Sequence, residues 1–315
     1  MFARYLVTIS PAENPEDLQP AAAGHRLSFR LPRCHVTIAS PDSRPDAALK
    51  ISWQDSPGRL TITEGSVIDT GTPDLLQSGT YNRLTVDEAG EARLSNDTFG
   101  LMKAYYAQDG GVVRISNSLR LLQASAGLAH DELGIAETFL FGGWTPNDRT
   151  ILAGGKRLIP GAEYCFVAGS GRPPEVRRLT GTWTTVHEDS VETAVGQVID
   201  LWEAALSRHF DSANRPVGLL LSGGLDSRMV AGGVVAKGKQ LIGLTFGDLG
   251  SDEVRIAGQV ARASGAKWIP SGLDASFPFE RLAFERVNLL FETAYNLIWD
   301  ANAPLLAAEG VGRFT

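Results

Sequence analysis

Hydrophobic positions follow two different patterns along the chain. Before residue 169, short runs that alternate or stay apolar lie between turn signals such as Ser56-Pro57-Gly58, and such runs are typical of β-strands. Two helices are predicted in the same part, over 119–126 and 131–141, with Asp131 near the start of the second. Strands are predicted at 4–9, 27–31, 34–39, 49–53, 60–62, 83–86 and 163–167.

After residue 187 the pattern changes to helices that alternate with strands. Val191, Val195, Val198, Trp202 and Leu206 recur at spacings of three and four, which predicts an amphipathic helix over 188–209. This alternation predicts a parallel, doubly wound sheet, so we expect an α/β protein. Strands are predicted at 217–221, 240–246 and 267–270, and helices at 227–236 and 252–264.

A run of glycine, serine, arginine and proline at 169–174 predicts a loop between two domains. The length of 315 residues is enough for two domains. We therefore assign residues 1–175 to a first domain, 176–190 to a linker and 191–315 to a second domain.

The turn with the sequence Ser-Gly-Gly-Leu-Asp-Ser at 222–227 carries the strongest chemical signal. It lies between a predicted strand and a predicted helix, where backbone N–H groups and the helix dipole favour an anion. Ser222 and Ser227 add two hydroxyls. Asp226 would repel a phosphate unless a cation lay between them, which indicates Mg²⁺. The turn therefore predicts a pyrophosphate cradle, and it differs from the Walker A loop because no Gly-Lys-Ser/Thr follows.

The composition is that of an ordinary globular protein, with 43% hydrophobic and 21% charged residues. The net charge of −7 gives no reason to expect a nucleic-acid partner. Cys34 and Cys165 form no CxxC pair, so neither a disulfide framework nor a zinc site is indicated. Without a long apolar run or a signal-like N-terminus, we expect no membrane partner and a cytoplasmic location.

The stretch Ser-Gly-Gly-Leu-Asp-Ser-Arg at 222–228 resembles the PP-loop motif of the asparagine synthetase superfamily. That group includes asparagine synthetases, β-lactam synthetases and the macrolactam cyclases of lasso peptides. Further segments that resemble the family lie at 143–151, 158–161, 241–247, 250–253, 292–293 and 304–305. The resemblance implies an N-terminal glutaminase-like αββα sandwich followed by a parallel-sheet PP-loop ATP pyrophosphatase domain.

The resemblance also implies a reaction. PP-loop synthetases cleave ATP between the α and β phosphates, transfer AMP to a carboxylate and let an amine displace it to form an amide. Asp226 would be a Mg²⁺ ligand by this resemblance. The implied contacts with ATP are Ser222, Gly223, Gly224, Leu225, Asp226 and Ser227 around the pyrophosphate, and Leu221, Phe246 and Gly247 around the adenosine.

Two departures from the family pattern change the expectation. Glutamine-dependent members carry a cysteine nucleophile directly after the initiator Met, whereas position 2 is Phe2 here. We therefore expect a glutaminase-like first domain that lacks the nucleophile, with the amine supplied by the substrate itself. The resemblance also places a second glycine-rich loop and the amide-forming groups beyond Thr315, so we expect about half of the site. We further expect the last parallel strand to be missing and Leu305, Leu306 and Phe314 to be uncovered.

Three function classes remain open from the sequence. The first is an AMP-forming amide synthetase of the lasso-peptide, macrolactam or β-lactam type, with a small-molecule or peptide carboxylate as substrate. A precursor peptide and a companion protease are its expected partners, and an oligomer is compatible with it. The second is an asparagine synthetase that uses ammonia, and the third is a nucleotide-binding module without catalysis.

Overall fold

The computed structural model describes residues 4–13, 24–41, 44–55, 58–68, 78–141, 145–179, 190–210, 215–273, 304–311 and 313–314. The chain divides into two compact units, with the boundary near residue 183. Both units combine strands with helices, and the protein is therefore a mixed α/β structure with several sheets.

Two six-stranded antiparallel sheets form the first unit. The first sheet has the strand order β10-β8-β9-β1-β3-β2 and the second has the order β12-β11-β7-β6-β5-β4. The elements are β1 (Leu6–Pro11), β2 (His25–Arg30), β3 (Cys34–Ser40), α1 (Pro45–Ala48), β4 (Lys50–Gln54), β5 (Arg59–Ile68), β6 (Ser78–Asp87), β7 (Glu91–Asn96), β8 (Tyr105–Asp109), β9 (Val112–Ser116), α2 (Leu119–Ala126), α3 (Glu132–Leu140), β10 (Lys156–Arg157), β11 (Ala162–Val167) and β12 (Glu175–Arg178).

The alternation along β1 shows how the layers pack. Val7 and Ile9 point into a core that also holds Leu60 and Tyr164 of the second sheet, so the two sheets pack face to face. Leu6 points the other way, into a cluster with α2 residues on the outer face of the first sheet. The described residues thus show one helix layer and two sheet layers, and the second helix layer of an αββα sandwich stays a prediction.

The predicted helix at 119–126 is confirmed as α2 with the same bounds, and Asp131 is the N-cap of α3, where its side chain accepts a hydrogen bond from Gly134 N. The strands β7, β8 and β9 were not predicted. The predicted linker at 176–190 starts too early, because residues 175–178 pair with β11 as part of the second sheet. The remainder of that linker, at 180–189, lies outside the described residues.

The second unit contains a parallel four-stranded sheet with the order β15-β14-β13-β16. Its strands pair in parallel throughout, which confirms the predicted sheet type. Its elements are α4 (Val191–Phe210), β13 (Val217–Leu220), α5 (Leu225–Ala236), β14 (Leu241–Gly247), α6 (Asp252–Ser264), β15 (Lys267–Gly272) and β16 (Arg313–Phe314).

The expectation that the last strand is missing is wrong. Residues 313–314 form β16, which pairs in parallel with β13 at Val217 and Gly218. Leu306 is buried against Ile242 and Leu244, so this face of the sheet is covered at that point. The expectation came from the family resemblance, whereas the strand already begins at Arg313. Leu305 remains exposed, and the side chain of Phe314 lies outside the described part.

None of the helices in the described ranges is both long and apolar enough to cross a membrane.

Candidate functional site

The candidate site begins where β13 ends. Leu221 is buried and donates its N–H to the Leu244 carbonyl at 2.9 Å, which continues the parallel pairing by one residue. The Leu221 carbonyl accepts a 2.6 Å hydrogen bond from Thr245 Oγ1. The Leu221 side chain is therefore part of the core. If Leu221 contacts adenosine, as the sequence predicted, the contact must come from its backbone.

Two serine hydroxyls organise the loop that follows. Ser227 Oγ accepts a hydrogen bond from Ser222 N at 3.2 Å and lies 2.9 Å from Ser222 Oγ. Ser222 Oγ in turn accepts one from Gly224 N at 3.1 Å. Because each hydroxyl binds the backbone of the loop, these two side chains fix the path from the strand into α5.

Four backbone N–H groups remain at this helix start. In the described part of the chain no acceptor is recorded for the N–H groups of Gly223, Leu225, Asp226 and Ser227. Gly224 is the N-cap of the 12-residue α5 and has an extended backbone conformation. Because it has no side chain that could accept a hydrogen bond, the backbone N–H groups of the first helical turn remain available as donors. Unpaired N–H groups and the positive end of the helix dipole together favour an anion.

Gly223 allows the loop to lie close to α6. A Cβ at Gly223 would come 3.2 Å from both Cβ and Cγ2 of Ile256, which is tighter than normal packing. The α6 helix is itself fixed at its start by Ser251, whose Oγ accepts a hydrogen bond from Val254 N as its sequence predicted. The glycine therefore allows the close packing of the loop on α6.

The second predicted segment lies at the same edge of the sheet. Leu220 pairs with Leu244, so Ser222 follows β13 at the level where Phe246 and Gly247 end β14. Both of these residues are half-buried. Gly247 has φ of 144°, a conformation that favours glycine, and a Cβ there would meet open space. The carboxyl ends of parallel strands are where ligands bind in such sheets.

Thr245 is a positioning residue that the sequence reasoning missed. Its hydroxyl donates to the Leu221 carbonyl and accepts a 2.9 Å hydrogen bond from Trp268 Nε1. Thr245 is 4% exposed. Its two hydrogen bonds connect β14 to the end of β13 and to β15 just below the loop. The available signal was a single polar residue within the apolar strand Leu-Ile-Gly-Leu-Thr-Phe-Gly.

Asp226 offers one exposed carboxylate in the first turn of α5. Within the described ranges no group of three His, Cys, Asp or Glu side chains is placed to hold a metal. Magnesium commonly uses one or two carboxylates together with phosphate oxygens and water. The residues therefore fit a Mg²⁺ ion that arrives with a nucleotide, and do not form a complete protein cage for it.

The two cysteines are poorly suited to nucleophilic chemistry. Cys34 is fully buried, and this burial is the main reason why its pKa rises to about 11. Burial also raises the pKa of Cys165, which lies on β11. Because the thiolate is the reactive form, the raised pKa lowers the reactivity of both thiols at neutral pH.

One family model matches a segment of the second unit. Residues 197–297 match the family model described as asparagine synthase. The match includes part of α4 and all of the loop, α5, β14 and α6, and it supports the resemblance of this segment to the asparagine synthetase superfamily. It also supports an ATP-dependent activity of the ligase type in general.

Two solved structures show weak similarity to the chain. One, described as the allosteric regulatory enzyme of purine biosynthesis, is 8% identical with a TM-score of 0.34, over 85% of this chain and 80% of that one. The other is a glutamine phosphoribosylpyrophosphate amidotransferase from B. subtilis complexed with ADP and GMP, 9% identical with a TM-score of 0.32. It covers 84% of this chain and 65% of that one. Such low values carry no functional argument. A search of curated proteins found no match.

Proposed function

We propose that the protein is an AMP-forming amide-bond synthetase that adenylates a carboxylate with ATP and joins it to an amine. One observation carries the proposal: the loop at 222–227 presents four N–H groups without a described acceptor, inside the segment that matches the asparagine synthase family. Pyrophosphate is the highly charged leaving group of such a reaction, and this loop is the part of the chain built to accept an anion.

The chemistry explains why the donors matter. A carboxylate oxygen attacks the α-phosphorus of ATP and forms an acyl adenylate, while the bond to pyrophosphate breaks. The amine then attacks the acyl carbon, loses a proton and releases AMP. The N–H groups of Leu225, Asp226 and Ser227 would hold the departing pyrophosphate. The Asp226 carboxylate would bind Mg²⁺, which neutralises phosphate charge when it is present.

The finer proposal is that the amine belongs to the substrate, as in macrolactam or β-lactam formation. It is supported by the burial and raised pKa of Cys34 and by the raised pKa of Cys165, since neither thiol suits glutamine hydrolysis. A peptide carboxylate with a companion protease and a cytoplasmic location complete this proposal. The description of the matched family favours a second candidate, asparagine formation from aspartate and ammonia.

Exchange of labelled pyrophosphate into ATP tests the proposal. The wild-type full-length protein is assayed with Mg²⁺ and with either aspartate or a candidate peptide that carries both a carboxylate and an amine. We expect carboxylate-dependent exchange that Asp226→Asn lowers at least 100-fold, in line with the loss of a preorganised charge-stabilising group. Asp200→Asn, which removes an exposed carboxylate from α4, serves as the matched control and should exchange like wild type. Equal exchange by wild type and Asp226→Asn would refute the assignment of Asp226.

A further inference from the structure

A small cavity with one polar corner lies between the two sheets of the first unit. Its walls are largely apolar, and its polar corner is formed by Tyr5, Glu64 and Asn82. These three residues are 4%, 5% and 3% exposed, so their polar groups are removed from solvent and require partners inside the protein. The apolar walls are Val7, Leu49, Ile62, Leu84, Leu94 and Ile115.

Glu64 accepts three hydrogen bonds at this corner. Tyr5 Oη and Asn82 Nδ2 donate to its Oε2 at 2.9 and 2.8 Å, and Asn117 Nδ2 donates to its Oε1 at 2.9 Å. All three donors are neutral. Among the residues that the structure describes, no lysine or arginine forms an ion pair with Glu64. A buried carboxylate without a counter-charge is costly, even when it is hydrogen-bonded.

The same corner contains a hydrogen-bond acceptor that lacks a donor. Asn82 Oδ1 is buried and has no hydrogen-bond partner among the described atoms. Turning the amide over would not satisfy it, because Oδ1 would then face the Glu64 carboxylate in place of the Nδ2 donor. The three recorded hydrogen bonds of this corner are all donated to Glu64, and the corner therefore combines a negatively charged carboxylate with the unsatisfied acceptor Asn82 Oδ1.

We propose that this corner binds one ammonium ion, with Glu64 as its counter-charge and Asn82 Oδ1 as a second acceptor. A water molecule and an ammonium ion could each donate to both acceptors, but only the ammonium ion also supplies the missing positive charge. The cavity accommodates a guest no larger than water, which excludes larger organic amines.

Thermal unfolding of the full chain tests this site, because a ligand that binds only the folded state raises the unfolding temperature. Ammonium chloride is titrated at constant ionic strength against sodium chloride and against tetramethylammonium chloride, at pH 7.5 or so. We expect Tm to rise by roughly 5 °C near saturation with ammonium alone. An equal response to all three salts would overturn the proposal.

Two variants locate the effect. Glu64→Gln keeps the shape and removes the charge, and we expect it to lose the ammonium-dependent rise. Asp97→Asn is the matched control: Asp97 is 1% exposed and accepts the N–H groups of Phe99 and Leu101, but it does not line the cavity. The Asp97→Asn variant should keep the ammonium-dependent rise in Tm. A rise that persists in Glu64→Gln would overturn the assignment.

A direct measurement covers the case in which Glu64→Gln does not fold. In wild-type protein, nitrogen-15 ammonium bound in the cavity should give a separate, slowly exchanging NMR signal with cross-peaks to methyl groups of Leu84 and Ile115, which line the cavity. If the spectrum shows only free ammonium at concentrations that saturate the thermal shift, or if a water molecule occupies the corner in ammonium-rich crystals, the proposal is wrong.

Discussion

The hydroxyl oxygens of Ser222 and Ser227 lie 2.9 Å apart across the loop that joins β13 to α5. This pair holds two of the backbone N–H groups of the loop, those of Ser222 and Gly224. The N–H groups of the first helical turn, by contrast, have no acceptor in the described part of the chain. The loop is thus shaped by its own side chains and still offers donors to an anion.

Replacing Ser227 by alanine should therefore weaken nucleotide binding more than it weakens the fold. Ser227 is half-buried, and the lost hydrogen bonds should cost about 1 kcal/mol of unfolding free energy. The affinity of the Ser227→Ala variant for ATP with Mg²⁺, measured by calorimetry, should fall at least tenfold because the loop loses its shape. Ser264→Ala, which removes a hydroxyl bond to Ala261 O at the end of α6, should leave the affinity unchanged. Equal affinities in the two variants would contradict this account.

Gly223→Ala tests the packing of the loop on α6. The added Cβ would lie 3.2 Å from Ile256 Cβ and Cγ2, so either the loop or the Ile256 side chain must shift slightly. Overpacking of this kind costs about 1–3 kcal/mol, and we expect ATP affinity to fall with it. Trimming the neighbour in the double variant Gly223→Ala/Ile256→Ala removes Cγ2 and should restore part of the affinity.

The control for this change is Gly232→Ala in the middle of α5, where a Cβ meets nothing within 4 Å. That substitution should stabilise the helix by about 0.5–1 kcal/mol and leave ATP binding intact. If Gly223→Ala behaves like Gly232→Ala in both measurements, the close approach to Ile256 does not matter for the site.

Glutamine should not be hydrolysed by a cysteine of this chain. With its pKa raised to about 11, Cys34 holds roughly one thiolate in ten thousand at pH 7, and its side chain is fully buried. We expect no release of glutamate from glutamine and no alkylation of Cys34 by iodoacetamide in the folded state. Glutamate release that disappears in Cys34→Ser would show that the thiol is reactive after all.

Glu64 should make the stability of the first unit depend on pH. Burial is the main cause that raises the pKa of Glu64 above its ordinary value of 4.5. The folded state therefore binds this proton more tightly than the unfolded state. The resulting stabilisation is complete below the unfolded pKa and is lost as pH rises through the folded pKa. Tyr5, the titratable group that contacts Glu64, has a pKa well above its ordinary value and does not titrate in this range.

In ammonium-free buffer, Glu64→Gln should consequently gain stability relative to wild type as pH rises from about 4.5 upwards. Urea unfolding of both proteins at a series of pH values measures this difference, and other titrating groups cancel between the two curves. A difference that stays constant over pH 4 to 8 would mean that the Glu64 carboxyl has the same affinity for protons in both states.

The sequence predicted the elements whose signals are local. Helix α6 was predicted with the observed bounds because Ser251 and Gly265 mark its ends, and α2 was predicted equally well. Strand β7 was missed because it carries only Ala92 and Leu94 as apolar residues, and pairing with β6 and β11 determines that it is a strand. Pairing partners far apart in the chain leave no periodic trace.

The candidate site shows the same division. The loop at 222–227 follows from a compact motif, whereas the contact of Thr245 with the Leu221 carbonyl depends on register between two strands. The Glu64 corner was not predicted either, since Glu64 and Asn82 meet through the pairing of β5 with β6, and Tyr5 reaches Glu64 only after both sheets have packed. Burial in the core, which sequence reasoning did not predict, also removes the Leu221 side chain from the site.

Thr245→Val should uncouple the edge of the sheet from the loop. Valine keeps the shape but leaves the Leu221 carbonyl without its 2.6 Å donor and Trp268 Nε1 without its acceptor, at a cost of about 1–3 kcal/mol. Because Leu221 directly precedes the loop, ATP affinity should fall as well. Thr138→Val in α3, which removes an equally buried hydroxyl bond to Gly134 O, should lower stability without changing affinity. Urea unfolding and calorimetry on the two variants measure both quantities, and unchanged ATP affinity in Thr245→Val would show that this hydroxyl supports only the sheet.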